Sequence, residues 1–279
     1  MKIITGSLLL IALTQVCSAQ YYYKDVITTR QNETRWRLYK ELQVKSVRLN
    51  SFERDGRPTE GFAGDQNISL DLFQITTHTK ATGNAESWII ASYSPAGLTR
   101  KVVDTSDTYR SVSDYQYDAA GRIQSILNTS IETDNHFKDV EQHSWSYDAA
   151  GKPTSMLKIK NGIDTTFIRF VPDEKGNIAE ERATRNKTEL PAIFYYYDAD
   201  NHLTDIVRYS SKAKRLLPDN VFEYGEGGRL ISMLVVPDGS NDYLKWLYEY
   251  DPKGLKIKES CFSRQKELLG RIEYQYSYK

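Results

Sequence analysis

A short motif recurs along the second half of this chain at nearly constant spacing, and that recurrence restricts the fold more than any other feature. Tyr115-Gln-Tyr-Asp-Ala-Ala-Gly-Arg122 is followed by Trp145-Ser-Tyr-Asp-Ala-Ala-Gly-Lys152 and Phe170-Val-Pro-Asp-Glu-Lys-Gly-Asn177. Then come Tyr195-Tyr-Tyr-Asp-Ala-Asp-Asn-His202, Phe222-Glu-Tyr-Gly-Glu-Gly-Gly-Arg229 and Tyr248-Glu-Tyr-Asp-Pro-Lys-Gly-Leu255. The seventh positions, Gly121, Gly151, Gly176, Asn201, Gly228 and Gly254, are separated by 30, 25, 25, 27 and 26 residues. Repeats of this length signify arrays of one supersecondary unit. Two weaker copies precede them, Ala91 to Leu98 and the shortened Phe52 to Arg57, and a further start stands at Tyr274.

Each motif position has a physical role. Aromatic-x-aromatic places Tyr115 and Tyr117, or Trp145 and Tyr147, on one face of a strand. Asp118, Asp148, Asp198 and Asp251 open a turn, where a short carboxylate accepts a nearby backbone N–H. The closing Gly supplies the left-handed conformation that a tight hairpin loop requires. Asn201 replaces it once, and Asn tolerates that conformation best among the other residues. A second strand follows, as in Arg122 to Leu127 and Arg229 to Leu234. The expected fold is therefore all-β, with tandem antiparallel β-hairpin repeats forming a long curling sheet. Thr34 to Leu49 reads as strand too, because Trp36, Leu38, Leu42 and Val44 fit alternation better than a 3.6-residue period.

Tyr-x-Tyr-Asp-x-x-Gly-Arg followed by Leu or Ile resembles the YD repeat of bacterial RHS proteins and teneurins. The resemblance covers Ala91 to Lys279 well and Gln20 to Ile90 weakly. It implies hairpins joined edge to edge into a curling sheet, which in large members closes as a shell around a toxin or ligand domain. This chain carries far fewer repeats than such a shell, and no junction motif or toxin domain follows them. It resembles a short form of the family.

The N-terminus reads as a targeting signal. Lys2 precedes the apolar run Ile3 to Leu13, and small residues at Cys17 and Ala19 place a signal-peptidase cut before Gln20. The run is about half the ~20 residues of a membrane span. Lipidation of Cys17 is the lesser alternative, since Thr14 and Val16 stand where such sites carry Leu and a small residue. The expected organisation is a signal peptide at 1–19 and a single β-repeat domain at 20–279, with degenerate repeats over 20–110 and clear ones over 111–279. Location follows as periplasm, cell surface or medium, with no transmembrane segment after cleavage.

Removing residues 1–19 takes away one charge, Lys2, leaving 36 basic against 37 acidic side chains. This balance argues against a nucleic-acid partner, which requires a basic excess. Cys261 is then the remaining cysteine, so an intramolecular disulfide is excluded. Its apolar setting predicts a buried, inert thiol.

No residue pattern predicts catalytic, metal or cofactor chemistry. The repeated acids are explained by turn geometry, whereas a catalytic pair would be two singular residues. His78, His136, His143 and His202 lack metal-ligand spacing, and His202 occupies the basic position after a turn, where solvation is expected. Sequons at Asn32, Asn67, Asn128 and Asn186 read as by-products of Thr-rich strands. The candidate binding residues are the aromatic stripe: Tyr117, Trp145, Tyr147, Tyr197, Tyr224, Trp246, Tyr248 and Tyr250. Cross-strand ring ladders explain such a stripe structurally, and stacking on sugar faces is its functional alternative. The expected function is a non-enzymatic exported repeat protein presenting a binding or scaffolding surface to a protein or polysaccharide partner. A carbohydrate-binding or carbohydrate-hydrolysing envelope protein is the alternative.

Overall fold

The computed structural model describes residues 21–82, 86–210, 213–236 and 242–279; the signal-peptide and Cys17 readings fall outside them. Two compact units divide the chain. One comprises Tyr22–Arg48, Ala63–Ala192 and Tyr276–Lys279, and the other Leu49–Phe62 and Ile193–Gln275, together with Tyr21 among the described residues.

The larger unit holds the helix α1 (Lys24–Glu41), the start of β1 (Val44–Glu53) and β2 (Ala63–Ile68), β3 (Gln74–Lys80), β4 (Ser87–Tyr93), β5 (Thr99–Ser106) and β6 (Tyr109–Tyr117). It continues through β7 (Ile123–Glu132), β8 (Lys138–Tyr147), β9 (Pro153–Lys160), β10 (Asp164–Pro172), β11 (Ile178–Arg185) and the two-residue β12 (Thr188–Glu189). Consecutive strands from β2 to β12 pair antiparallel. The smaller unit is a meander of β13 (Ile193–Tyr197), β14 (Leu203–Ser210), β15 (Arg215–Tyr224), β16 (Leu230–Val235), β17 (Leu244–Tyr250), β18 (Lys256–Ser263) and β19 (Leu268–Tyr278), again antiparallel.

The expected hairpins are present. Gly121, Gly151, Gly176, Asn201, Gly228 and Gly254 all have positive φ, from +64° to +90°. At Asp118 the backbone N–H donates to the Arg122 carbonyl at 2.9 Å and Gly121 N–H donates back to the Asp118 carbonyl at 3.0 Å. The same pair recurs at Asp148, Asp173, Asp198 and Asp251. The weaker copies use it too, at Ser94–Leu98 and Glu53–Arg57.

Two expectations need correction. The strand read over Thr34 to Leu49 is half helix: α1 runs to Glu41 and β1 begins at Val44. Alternation misled because Leu38 and Leu42 are only half-buried, whereas Trp36 and Tyr39, one helical turn apart, are the buried pair with Val26. The long curling sheet is also amended at its ends. β1 pairs with β19 as well as with β2, so the first and last strands hydrogen-bond to each other. In the larger unit Ser46 and Ser277 hydroxyls meet at 2.7 Å and Lys279 N–H donates to the Gln43 carbonyl; in the smaller, the Arg271 guanidinium lies 4.3 Å from the Phe52 ring centre. The physical reason is edge satisfaction: β1 and β19 have ten and eleven residues, and left unpaired each would expose a row of N–H and C=O groups.

Within the larger unit the sheet bends around α1. Tyr22, just before the helix, contacts Glu181 on β11, and Tyr39, near its end, contacts Gln66 on β2. The intervening nine strand steps span roughly 43 Å at ~4.8 Å each, whereas the helix between those residues covers about 26 Å at ~1.5 Å per residue. A flat sheet could not meet the helix at both places.

Gly97 shows how closely helix and turn meet: a Cβ there would lie 2.3 Å from Trp36 Cε3. Gly162 has a similar φ, +74° against +85°, but open space around its missing Cβ. Gly162→Ala should therefore cost roughly 1 kcal/mol, from backbone strain alone. Gly97→Ala should cost roughly 3 kcal/mol or more, since Trp36 must also leave its seat. Denaturant melts of the two variants compare them directly, and equal costs would contradict this packing.

Candidate functional site: the face beneath the helix

The aromatic stripe is built into the repeat. Tyr147, Tyr224 and Tyr250 each send a hydroxyl back one unit, donating to the carbonyls of Ile123 (2.7 Å), Leu203 (2.9 Å) and Leu230 (2.9 Å). The basic residue after the preceding turn lies over the same ring: Arg122 sits 4.7 Å from the Tyr147 ring centre, and His202 stacks on Tyr224 at 4.8 Å. His202 is thus not simply solvated, as its position suggested; its Nδ1 also lies 3.0 Å from Asp198 Oδ2. Burial pushes the Tyr147 and Tyr224 phenols up to about 12.

In the larger unit the structure places Tyr117, Trp145 and Tyr147 on the face toward α1. Trp145 is buried and stacks on Phe170 with ring centres 5.2 Å apart and planes 3° from parallel. The Tyr117 hydroxyl is buried, and burial first, then neighbouring phenols and Glu33, pushes it strongly up. In the smaller unit Trp246 is buried against Val235 and Cys261, and Lys256 Nζ approaches the Tyr248 ring at 5.4 Å. Tyr197 and Tyr250 are half-buried. Cys261 is buried as expected, its thiol pushed up to about 12 by burial. None of the eight stripe residues is exposed.

The sequence did not single out the charged cluster beneath α1. His143 on β8 sits between two carboxylates, with Nδ1 2.6 Å from Asp25 of the helix and Nε2 2.9 Å from Glu141. Lys158 on β9, directly opposite His143 in register, places Nζ 2.7 Å from Glu141. Two acids and two bases balance in a site where His143 and Lys158 are each 8% exposed. Burial alone would lower the His143 pKa, but hydrogen bonds to Asp25 and Glu141 outweigh it and raise it from 6.5 to about 9. Glu141 is the mirror case: burial would raise it, while His143 and Lys158 bring it from 4.5 down to about 2.

A second contact fixes the helix start. Glu181, 1% exposed on β11, accepts the backbone N–H groups of Tyr22 (2.9 Å) and Tyr23 (3.1 Å) through Oε2. No side chain of the helix caps its own first turn, so a strand carboxylate occupies the positive end of the helix dipole. Further along, Trp36 Nε1 donates to the Leu72 carbonyl at 2.8 Å. A signal for the cluster did exist in the sequence. Glu141 and His143 share the alternation of Trp145 and Tyr147, and Lys158 that of Met156, so charged side chains occupy inward positions.

Chemically the cluster is an ion-paired clasp. Both carboxylates touch His143, whereas glycosidase acids flank a cleft about 5 to 9.5 Å wide that admits the sugar. The clasp makes stability depend on pH. The His143 contribution is present in full below pH 6.5 and is lost as pH rises through about 9. The Glu141 contribution is present above pH 4.5 and is lost as pH falls through about 2. Melting temperature should plateau between pH 4.5 and 6.5 and fall on both sides. His143→Gln should lower the plateau by the equivalent of a few kcal/mol and remove most of the alkaline decline. An unchanged alkaline limb in that variant, followed by circular dichroism, would contradict the clasp.

No protein-family profile matches the chain. Among curated proteins it is similar to the tRNA3(Ser)-specific nuclease WapA of Bacillus spizizenii, 25% identical over 57% of this chain and 7% of that protein. Among solved structures it is similar to TcdB2-TccC3-Cdc42, at 15% identity and TM-score 0.34, over 77% of this chain and 12% of that one. It is also similar to a porin-like protein from Bacteroides uniformis, at 8% identity and TM-score 0.43, over 84% of this chain and 98% of that one. The chain thus spans a small fraction of the nuclease and of the toxin chain, and all three likenesses are distant.

Proposed function

We propose that the chain is an exported, non-enzymatic protein of the YD-repeat type that presents a binding or scaffolding surface in the cell envelope or outside the cell. One observation carries this reading: the residues that define the repeat are spent on joining units. The turn acid binds backbone N–H groups, the glycine admits the preceding unit's basic side chain, and the tyrosine hydroxyl reaches back to the preceding unit. Part of the concave face of the larger unit is covered by its own helix, and the carboxylates of the cluster beneath it are bound to His143, Lys158 and backbone N–H groups.

The opposite face supports an aqueous setting. Strand residues pointing away from α1 include the Lys101–Asp114 pair (3.1 Å), Arg169 and the Arg182–Glu180 pair (2.8 Å). In the smaller unit, Lys245–Glu223 (3.4 Å) and Lys258–Glu249 (2.7 Å) lie likewise across strands. Exposed Leu127 and Phe167 share that face, and the charges interrupt it, whereas a lipid-facing barrel surface carries a continuous apolar band. The repeat motif favours a bacterial repeat protein, and the distant relative WapA comes from a bacterium, Bacillus spizizenii.

The test is fractionation of cells expressing the full chain, with mass spectrometry of the product. The expected product begins at Gln20 in the periplasm or medium and releases no reducing ends from a panel of bacterial polysaccharides. A cytoplasmic product retaining Met1, a lipid on Cys17, or polysaccharide cleavage abolished by Glu141→Gln would each overturn part of this reading.

A further inference from the structure

On the face toward α1, strands β5 to β7 carry a strip of side chains that is unusual for a sheet's inner surface. The register aligns Asp104 with Ser111 and Ser111 with Ser130, and in the next row Ser113 with Asn128. Period-two alternation puts Ser111 and Ser113 on the same face as Tyr115 and Tyr117. Asn128 Nδ2 donates to Ser111 Oγ (3.0 Å) and Ser113 Oγ (2.9 Å), and Ser130 Oγ donates to Asn128 Oδ1 (3.1 Å). Tyr109 OH donates to Asp104 Oδ2 at 2.9 Å. All six residues are half-buried. Apolar residues would have filled this space had it been meant only as core.

One atom of the strip is unsatisfied. Asp104 Oδ1 is buried without a hydrogen-bond partner among the described residues. Burial raises the Asp104 pKa against the lowering effect of the Tyr109 hydroxyl. Two lysines on this face are committed elsewhere, Lys158 to Glu141 (2.7 Å) and Lys160 to Asp139 (3.1 Å). An unpaired buried acceptor costs roughly 1–3 kcal/mol. A bound donor would recover that cost.

We propose that this strip, Asp104 with Tyr109, Ser111, Ser113, Asn128 and Ser130, is a binding site for a neutral, hydroxyl-rich ligand, a saccharide. The chemistry of the strip selects the class. Serine hydroxyls and the Asn128 amide both donate and accept, matching vicinal hydroxyls that do the same. Asp104 supplies one strong acceptor for a ligand O–H. Lys158 and Lys160 are already paired with Glu141 and Asp139, which leaves neither lysine to hold an anion and neither acid to join Asp104 on a multiply charged cation. Tyr109 and Tyr115 bound the strip along β6, about 20 Å apart at ~3.3 Å per residue, a length suited to several sugar rings. Asn128, the residue of one sequon, is the hub of the network. This inference rests on the exported, non-enzymatic reading and deepens it by naming the ligand class.

The test uses the mature full-length chain on an array of neutral plant and bacterial oligosaccharides, followed by calorimetry with any glycan retained. Binding of at least one neutral class is expected, weakened at least tenfold by the shape-conserving double variant Ser111→Ala with Ser113→Ala and by Asp104→Asn. Melting temperatures of the variants within a few degrees of the parent confirm that folding is intact. No retained glycan, or binding indifferent to both variants, overturns the proposal. A calcium-dependent rise in melting temperature that Asp104→Asn abolishes, with no glycan bound, overturns it in favour of a cation site. Export to the periplasm without glycan binding would sink this inference and leave the exported reading intact.

Discussion

The structure depends on one steric arrangement, the left-handed residue that closes each hairpin turn. That position must satisfy two demands at once. Its φ must be positive for the chain to reverse, and in most units its missing Cβ leaves room for a side chain from the unit before. A Cβ on Gly151 would stand 2.8 Å from Arg122 Nη1, on Gly176 1.7 Å from Lys152 Nζ, and on Gly228 2.5 Å from His202 Nε2. The basic side chain so admitted covers the next unit's tyrosine or, at Lys152, donates to the Gly176 carbonyl at 2.8 Å. Glycine, basic residue and tyrosine are therefore one interlocking contact shared by two units. This is why they recur together in the sequence.

That contact explains the parts of the fold that were legible. Turn positions, hairpin pairing and the antiparallel order follow from residues whose roles are local in the chain, within about thirty positions of one another. Asn201 was readable for the same reason, since its φ of +64° needs nothing beyond its own backbone. The helix was not legible. Its buried residues are only Val26, Trp36 and Tyr39, and the rest of its surface is polar apart from Ile27 and Leu38, so no broad apolar stripe announces it. Its partners, Glu181, His143, Leu72 and Gln66, lie between 27 and 159 residues away in sequence. Helix propensity is weak in a stretch with three threonines, and tertiary contacts hold what local preference does not.

The aromatic stripe shows the limit of reading function from residue type. Period two puts such rings on one face, but whether they meet a ligand or the protein itself depends on the strand above. Tyr147, Tyr224 and Tyr250 answer this by donating their hydroxyls to backbone carbonyls about twenty residues earlier. Each such bond contributes roughly 1 kcal/mol. Repeated along the array, they couple each hairpin to its predecessor more specifically than ring packing would.

The inner surface of the larger unit then divides its work by chemistry. Where α1 crosses, Ile126, Trp145, Met156, Ile168 and Phe170 supply apolar burial, and the clasp of Asp25, Glu141, His143 and Lys158 sets the helix in place. Such a clasp adds little net stability over an apolar equivalent, because removing four charges from water offsets most of their attraction. Its gain is in position: a helix with so narrow an apolar stripe could otherwise slide or rotate over the sheet. Glu181 removes that freedom at the helix start and Trp36 near its end, through bonds whose partners are fixed in strands. Next to this pinned region the surface changes, over one strand row, from Tyr115, Ile126 and His143 to Ser113 and Asn128. An abrupt change from packed to hydroxyl-lined surface on one face follows when part of that face is closed by the protein and part is shaped to meet polar groups. The helix, by closing the first part, defines where the second begins.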